Sequence, residues 1–347
     1  SGWNSMVSNT TGSYNVSIGV NSMFKNVEGS NNVAIGKSAL YNSMISGNVA
    51  VGNEAMYSNT TGEYNVAVGD GALKYNTTGE TNTAVGKGSL SANTTGDLNS
   101  ALGHASLEAN TTGTHNTAMG SYSQWKNTTG QYNSSFGISS LQENTEGTVN
   151  TAMGVWSMRQ NTTGSRNTAF GYEGLYSNTT GEKNSSLGAD AGFSNTTGSY
   201  NTYLGYFSGY NNSTGLRNIF LGYEAGYNAN YQTASDKLVI ANSNTTTPLI
   251  DGDFSASTLN INGALTASSV AAGDVSSTEF AYLDGVTSAV QTQLDAKQGA
   301  DADLTDLADG TLSASKVENN EYFITSAGTS EQVWTSDGSG AGAWASS

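Results

Sequence analysis

The sequence repeats one unit, which in its clearest copy reads Asn65-Val66-Ala67-Val68-Gly69-Asp70-Gly71-Ala72-Leu73-Lys74-Tyr75-Asn76-Thr77-Thr78-Gly79. In the first half, Asn65 to Gly69, the small residue Ala67 lies between two β-branched valines, and this pattern predicts a short strand. The second half ends in Asn-Thr-Thr-Gly, which favours a turn because Asn bonds to nearby backbone and Gly accepts a positive φ. Each unit therefore predicts one or two short strands and a tight turn.

The unit recurs along the chain with a nearly constant period. The glycine that closes the first half follows a 17-residue period, and only the step from Gly36 to Gly52 is shorter, by a single position. A period of this size indicates a solenoid, in which stacked coils bury the apolar residues that one coil cannot bury alone. The fold class we predict is therefore an all-β repeat solenoid with 17-residue coils. The register glycines are Gly19, Gly36, Gly52, Gly69, Gly86, Gly103, Gly120, Gly137, Gly154, Gly171, Gly188, Gly205 and Gly222.

Two positions of the unit predict a structural ladder. The Asn before each strand can bond to its copies in neighbouring coils if strands stack ~4.8 Å apart. The register Gly marks a place where the backbone is too tight for a Cβ. Counting back one period from Gly19 gives Gly2, so we expect the array to begin in mid-repeat. The ladder residues are Asn15, Asn32, Asn65, Asn82, Asn99, Asn116, Gly19, Gly36, Gly69, Gly86, Gly103 and Gly120.

One coil offers only two or three apolar side chains, which is a thin core. The small column formed by Ala34, Ala50 and their equivalents offers a flat face, and we predict that it packs against another chain. Several solenoids should therefore bundle together, and our prediction is a homotrimer.

Composition limits the function classes. The 347 residues include no Cys, so neither disulfides nor thiolate metal sites can form. The net charge is −16, with −4 over residues 1–227 (9 Lys/Arg, 13 Asp/Glu) and −12 over residues 228–347 (3 and 15). This balance lacks the basic footprint of a nucleic-acid binder. No apolar run approaches ~18 residues, so we expect no membrane insertion.

The repeats also carry a resemblance. Residues 32–36 (Asn-Val-Ala-Ile-Gly) and 65–69 resemble the head repeat of YadA-type trimeric autotransporter adhesins, which implies a left-handed β-roll with three chains to a head. The longer pattern Asn-Thr-Thr-Gly-x-x-Asn-Thr-Ala-x-Gly is similar to repeats of phage tail-fibre proteins. The resemblance covers about residues 1–227, and the 17-residue period departs from the usual shorter adhesin coil.

The pattern changes after Gly222. We divide the chain into a solenoid shaft (1–227), transition strands (228–267), a short helical or coiled-coil segment (268–300) and a β-rich fibre segment (301–347). Within the transition, 237–242 predicts a last strand and 258–263 a strand and turn. The prediction of a helical segment rests on apolar residues at helical spacing, which are Leu283, Val286, Val290 and Leu294.

The C-terminal third also resembles phage tail fibres. The segments 279–287, 293–297 and 331–338 are similar to stretches common in such fibres, which favours a phage-type fibre over a bacterial adhesin. Fibres of this type are often followed by an intramolecular chaperone that cuts itself off. We hypothesise that Ser347 is such a processed end, although truncation would explain the same ending.

Few residues suggest chemistry, and we predict no catalytic residue, cofactor or metal. His104 and His115 fall at different places in the unit, so they form no ladder. The acids Asp301, Asp303, Asp306 and Asp309 lack the spacing of a calcium loop and predict a solvated turn. The Asn-x-Thr matches occupy the turn of each unit, so we interpret them as turns rather than as glycosylation sites.

Aromatic residues concentrate near the end of the shaft. We name Tyr206, Tyr210, Tyr223 and Tyr227 as glycan-contact candidates, because sugar faces stack on rings. The alternative, which we favour, is that the aromatic residues widen the core where the rod changes cross-section.

These patterns predict a non-enzymatic, structural and receptor-binding fibre. It would lie on a virion surface or otherwise outside a cell and attach to a host glycan or protein receptor. The alternatives are a bacterial surface adhesin or extracellular filament subunit, and a polysaccharide-degrading spike, which would need two acids facing each other across a groove.

Overall fold

The computed structural model describes residues 2–266, 292, 332–336 and 342–346. Its contacts divide the chain into two units, Ser1–Leu265 and Thr266–Ser347. The first unit is the predicted β-solenoid. Its coils follow the 17-residue period, with the one 16-residue coil that the glycine spacing predicts.

Thirteen parallel strands of three residues form the solenoid sheet. Each pairs with the strands before and after it in sequence, and equivalent residues of the repeat lie side by side, as Val66 does beside Thr83. The strands are β1 Val16–Ile18, β2 Val33–Ile35, β3 Val49–Val51, β4 Val66–Val68, β5 Thr83–Val85, β6 Ser100–Leu102, β7 Thr117–Met119, β8 Ser134–Phe136, β9 Thr151–Met153, β10 Thr168–Phe170, β11 Ser185–Leu187, β12 Thr202–Leu204 and β13 Ile219–Leu221.

The sheet continues beyond the repeats. After a single 3-10 turn, Ala229–Tyr231, strand β14 (Lys237–Ile240) pairs in parallel with β13. Strands β15 (Ile250–Asp253) and β16 (Thr258–Ile261) then add antiparallel to the same sheet. The strands predicted in 237–242 and 258–263 are confirmed, and β15 is an addition that the sequence analysis missed.

The second unit contains one described hairpin. Strands β17 (Gln332–Ser336) and β18 (Gly342–Ser346) pair antiparallel, with Gln332 opposite Ser346. The helical segment predicted for 268–300 lies outside the described residues apart from Thr292, and so does most of the segment 301–347.

Two inner columns fill the core of the solenoid. One is the middle residue of each strand, Ala67 in the clearest unit, and the other is the fourth residue after each register glycine, Leu73. Both are fully buried. The prediction that the small column packs on another chain is therefore wrong: the alanines lie inside their own coil, because only a small side chain fits opposite the leucine in so thin a core.

The register glycines confirm a tight backbone. A Cβ placed on Gly69 would lie 2.4 Å from the carbonyl oxygen of Gly86 in the next coil, and Gly69 has a φ of +146°. Any other residue would clash with the neighbouring coil and strain its own backbone.

One coil carries a polar core. Gln124 replaces the leucine and Ser135 replaces the alanine, and the Gln124 Nε2 donates to Ser135 Oγ at 2.8 Å and to the Thr117 carbonyl at 2.9 Å. The Oε1 atom of Gln124 is buried without a hydrogen-bond partner. This coil separates the apolar core into one cluster that ends at Ala118 and another that begins at Leu141.

Near the end of the shaft the two inner columns exchange sizes. Tyr203 and Phe220 replace the small strand residue and are fully buried. Glycines replace the leucine in the coils around them, and a Cβ on Gly192 would lie 2.5 Å from the Tyr203 ring. The rings therefore occupy the space that leucines fill elsewhere. The strand position becomes large where the position across the core becomes small.

We expect the double substitution of Gln124→Leu and Ser135→Ala to stabilise the solenoid. It restores the ordinary pair and removes a buried acceptor without a partner, which should gain about 1–3 kcal/mol. The measurement is the melting temperature by circular dichroism. Gln124→Leu alone should gain less, because Ser135 loses its amide partner, and a lower melting temperature for the double variant would contradict this account of the core.

Candidate functional site

The strand asparagine column consists of the Asn before each strand, from Asn15 to Asn218. In the clearest unit, Asn65 Nδ2 donates at 2.8 Å to the carbonyl of Gly79, the last residue of the same unit, 14 positions further on. Asn65 Oδ1 accepts the backbone N–H of Asn82, the equivalent residue of the next coil, at 2.9 Å. The same two bonds recur at Asn99 and Asn116, so each side chain joins two coils along the axis.

The turn asparagine column consists of the Asn of each Asn-Thr-Thr-Gly turn. Asn76 Nδ2 donates to the Gly79 carbonyl of its own coil at 2.9 Å and to Asn59 Oδ1 of the preceding coil at 2.8 Å. These amides are fully buried. The interpretation of the Asn-x-Thr matches as turns fits this geometry, because a buried amide cannot accept a glycan in the folded chain.

The turn asparagine column is interrupted once and is closed by a tyrosine. The 16-residue coil has Ser43 at this position, which leaves Asn26 Oδ1 buried without a partner. At the other end, the Tyr203 hydroxyl lies 2.9 Å from Asn212 Oδ1 and 3.4 Å from Asn195 Oδ1. Burial raises the pKa of Tyr203, so this hydroxyl keeps its proton and donates it.

We expect Asn116→Asp to destabilise the shaft strongly. The change removes the donor to the Gly130 carbonyl and places a carboxylate among acceptors in a fully buried position. An unpaired buried charge should cost at least about 3 kcal/mol per chain. The melting temperature should fall well below that of Asn242→Asp, an exposed control outside the columns, and equal melting temperatures would show that the column does not hold the coils together.

The outer face of the sheet consists of the first and third residues of each solenoid strand. The third residue is apolar in all thirteen, and their pairing partners in β14, β15 and β16 continue the same column. Several are well exposed, such as Leu187 at 54% and Leu102 at 45%. The apolar column contains Ile18, Ile35, Val51, Val68, Val85, Leu102, Met119, Phe136, Met153, Phe170, Leu187, Leu204, Leu221, Ile240, Ile250 and Ile261.

The first residues of the strands vary by zone. They are Val in β1–β4 and Ser or Thr in β5–β12, and they become Ile219 in β13, with Leu238 as its partner in β14. From β6 to β12, where the first residue is small and polar, the third residue is Leu, Met or Phe. A depression of about 160 Å³ lies between Phe170 and Leu204, over Ser185 and Leu187.

The opposite face consists of the fifth and sixth residues after each register glycine. Two aromatic stacks run along its fifth position. Phe24, Tyr41 and Tyr57 stack 5.0–5.1 Å apart, and a second stack of rings 4.9–5.3 Å apart contains Tyr176, Phe193, Tyr210 and Tyr227.

The four glycan-contact candidates lie in and beside the second stack. Tyr210 lies between Phe193 and Tyr227, so both of its ring faces are covered. Tyr206 stacks on Tyr223 at 5.9 Å and packs on Phe207. Tyr206 and Tyr223 are exposed, so the prediction that these aromatic residues widen the core is wrong for them; the rings inside the core are those of Tyr203 and Phe220, which take the space left by glycines. The contact of the four candidates with a glycan stays a prediction, and it would rest on ring edges and hydroxyls.

A carboxylate pair was missed by the sequence analysis. Glu173 and Asp190 occupy the second position after successive register glycines, so they stand one coil apart. Partial burial, and then the neighbouring Glu173, raise the pKa of Asp190 to about 6. The 17-residue spacing would have revealed this pair. It lies on one column, and the depressions beside Phe254, Leu187 and Trp125 are lined by other residues.

We expect Asp190→Asn to raise the melting temperature at pH 7. The folded-state pKa lies above the usual 3.8, so the carboxylate opposes folding above pH 6, and this effect disappears below about pH 4. Melting curves between pH 4 and pH 8 should show a gain at pH 7 that shrinks as the pH falls. A pH-independent gain at position 190 would contradict the assignment.

The other predicted features form no site in the described part of the chain. His115 stacks on Tyr132, and His104 packs edge-on against Tyr122. Among the described residues, no group of three or more metal-ligating side chains comes together, and no helix is long and apolar enough to cross a bilayer. The acids from Asp301 to Asp309 lie outside the described residues.

Comparison with known proteins assigns no family. No protein-family profile, no curated protein sequence and no solved structure shows significant similarity to the chain.

Proposed function

We propose that the chain is the shaft of a phage-type tail fibre, which lies on a virion surface and attaches to a host without catalysing a reaction. The observation that carries the proposal is the outer face of the sheet. An apolar column sixteen strands long lies on one side of the stack of coils, half-buried or exposed along its length, and a chain on its own would leave its exposed part in water.

The size of this face supports a permanent partner. Sixteen strands at ~4.8 Å span about 70 Å, and a strip about 10 Å wide then offers on the order of 700 Å². The largest apolar patch on an ordinary monomer is about 300–600 Å². If this face packs against two neighbouring chains, the total buried surface area reaches the range of stable interfaces.

The partner that fits best is another copy of this chain in the same direction. A parallel copy has the same spacing between coils, so each apolar residue meets an equivalent one at every level. Where the first strand residue is Ser or Thr, the larger third residues such as Met119 and Phe136 can approach a common axis. Three chains around that axis would cover the column, in agreement with the resemblance of the repeats to trimeric adhesin heads.

The phage-type assignment rests on the C-terminal resemblances, and attachment rests on the role of such fibres. The receptor would be a glycan or a protein of the host surface. The geometry also serves a bacterial surface adhesin or extracellular filament subunit. A polysaccharide-degrading spike would need facing carboxylates with room for a water or a sugar, whereas Glu173 and Asp190 stand next to each other on one column.

We expect Met119→Glu to break the assembly. In a three-chain bundle, three carboxylates would meet at the same level of an apolar interface, at a cost of several kcal/mol. Met119 is 39% exposed in the single chain, so a monomer would tolerate the change. Size exclusion coupled to light scattering should give about three chain masses for the unmodified protein and one for the variant.

The matched control is Gln142→Glu, which adds the same charge on the opposite face. It should leave the mass at about three chains. A compact monomer for the unmodified protein, or an unchanged assembly for Met119→Glu, would refute the proposed bundle.

A further inference from the structure

The opposite face contains a notch between its two aromatic stacks. The first stack ends at Tyr57, and its neighbours at the fifth position are Lys74, Ser91, Glu108 and then Trp125. Tyr75, at the sixth position, and Trp125 form the two ends of a depression of about 440 Å³. The coils between them carry small residues, so the floor consists of Ser91, Ala92 and Ala109.

The notch is as long as the part of an aromatic stack from which two rings are absent. Tyr75 and Trp125 lie three coils apart, which is about 14 Å at one strand spacing per coil. The two coils in between have no ring at the fifth or sixth position. The gap is therefore long enough for a sugar ring to stack on an aromatic wall, with a linked residue beside it.

The ring walls are available to a ligand. Tyr75 is 50% exposed and makes no ring–ring contact within the described residues; Lys74 Nζ lies 5.1 Å from the centre of its ring. Trp125 is held in place by its Nε1, which donates to Glu108 Oε2 at 2.6 Å. This contrasts with Tyr210, whose faces are covered by other rings.

The polar groups of the notch favour a neutral ligand rich in hydroxyls. Glu108 Oε1 has no hydrogen-bond partner among the described residues and can accept a hydroxyl proton. Lys126 forms an ion pair with Glu143, so its charge is already compensated, and its Nζ lies 5.5 Å from the centre of the Trp125 ring. Glu108 leaves the notch slightly negative, which disfavours an anionic sugar.

The notch also faces away from the proposed bundle interface. The fourth residue after each register glycine points at the strand across the core, as the contact of Gly192 with Tyr203 demonstrates. The fifth and sixth residues therefore lie on the side opposite the outer face of the sheet. Association through that face would leave one notch per chain open to solvent.

We infer that the notch between Tyr75 and Trp125 binds a neutral oligosaccharide. One sugar ring stacks on the Trp125 wall, the linked residue lies beside it over the floor of the notch, and Glu108, Ser91 and Lys126 supply hydrogen bonds to the hydroxyls. The inference deepens the proposed function, on which it rests for its biological role, because it gives the chemical class of the host-surface receptor.

The test is saturation-transfer difference NMR of the full chain with millimolar maltose, cellobiose and lactose as separate probes. At least one probe should receive saturation, and Trp125→Ala should weaken its binding by about tenfold or more through loss of a stacking wall. Ala109→Tyr fills the notch with a ring and should abolish binding while the melting temperature stays unchanged. Tyr41→Ala, whose ring lies between Phe24 and Tyr57 in the first stack, is the control that should keep binding.

The outcomes separate this inference from the fibre proposal, because light scattering on the same samples reports the assembly. Trimers that bind none of the three probes, or that bind one equally well after Trp125→Ala and Ala109→Tyr, would overturn the notch as a sugar site and leave the fibre proposal standing. Monomers that bind a probe through Trp125 would refute the bundle and support the notch.

Discussion

The carbonyl oxygen of Gly79 accepts two amide hydrogen bonds, one from Asn76, which is 3 residues before it, and one from Asn65, which is 14 residues before it. This arrangement recurs in most coils, and it solves the main difficulty of a narrow solenoid. A coil of this length has too little apolar volume to compensate for its buried backbone, so the polar interior must be satisfied by side chains of fixed length. Asn has that length, and buried amides that lose a partner are costly.

The same constraint explains why the period hardly varies. An amide reaches its partners only if equivalent residues of neighbouring coils lie one strand spacing apart. The single shorter coil has Ser43 in the turn column and leaves Asn26 Oδ1 without a partner. Its strand column is maintained, since Asn32 Nδ2 donates to the Ile45 carbonyl in place of a glycine carbonyl. The shorter turn therefore breaks the turn column on both sides, because Ser43 Oγ is also without a partner and Asn59 Nδ2 donates only to the Gly62 carbonyl.

Much of the solenoid could be predicted because its contacts are between copies of the same position. The period alone identifies Asn65 and Asn82 as neighbours, and the same argument would have paired Glu173 with Asp190. The repeat period does not show which side chains of a strand point into the core. Val66, Ala67 and Val68 are all apolar, and only the width of the coil shows that the small residue points inward. Strand β15 was missed because Ile250-Asp251-Gly252-Asp253 lacks an apolar alternation. The notch at Trp125 depends on which residues are absent from two adjacent coils, and a search for motifs does not detect such a gap.

The turn asparagine column also has a direction. From Asn76 to Asn195 every Nδ2 that donates within the column points to the Oδ1 of the preceding coil. The amide dipoles are therefore aligned head to tail, as backbone dipoles are in an α-helix, and hydrogen bonds in such a chain polarise one another. The turn asparagine column consequently has an electrical axis as well as a geometrical one, with its amide hydrogens directed to the N-terminal end. The gap at Ser43 divides this axis into two segments, and the phenol of Tyr203 ends the longer one, so the length over which the amide dipoles of this column stay aligned is set by two residues that interrupt the repeat.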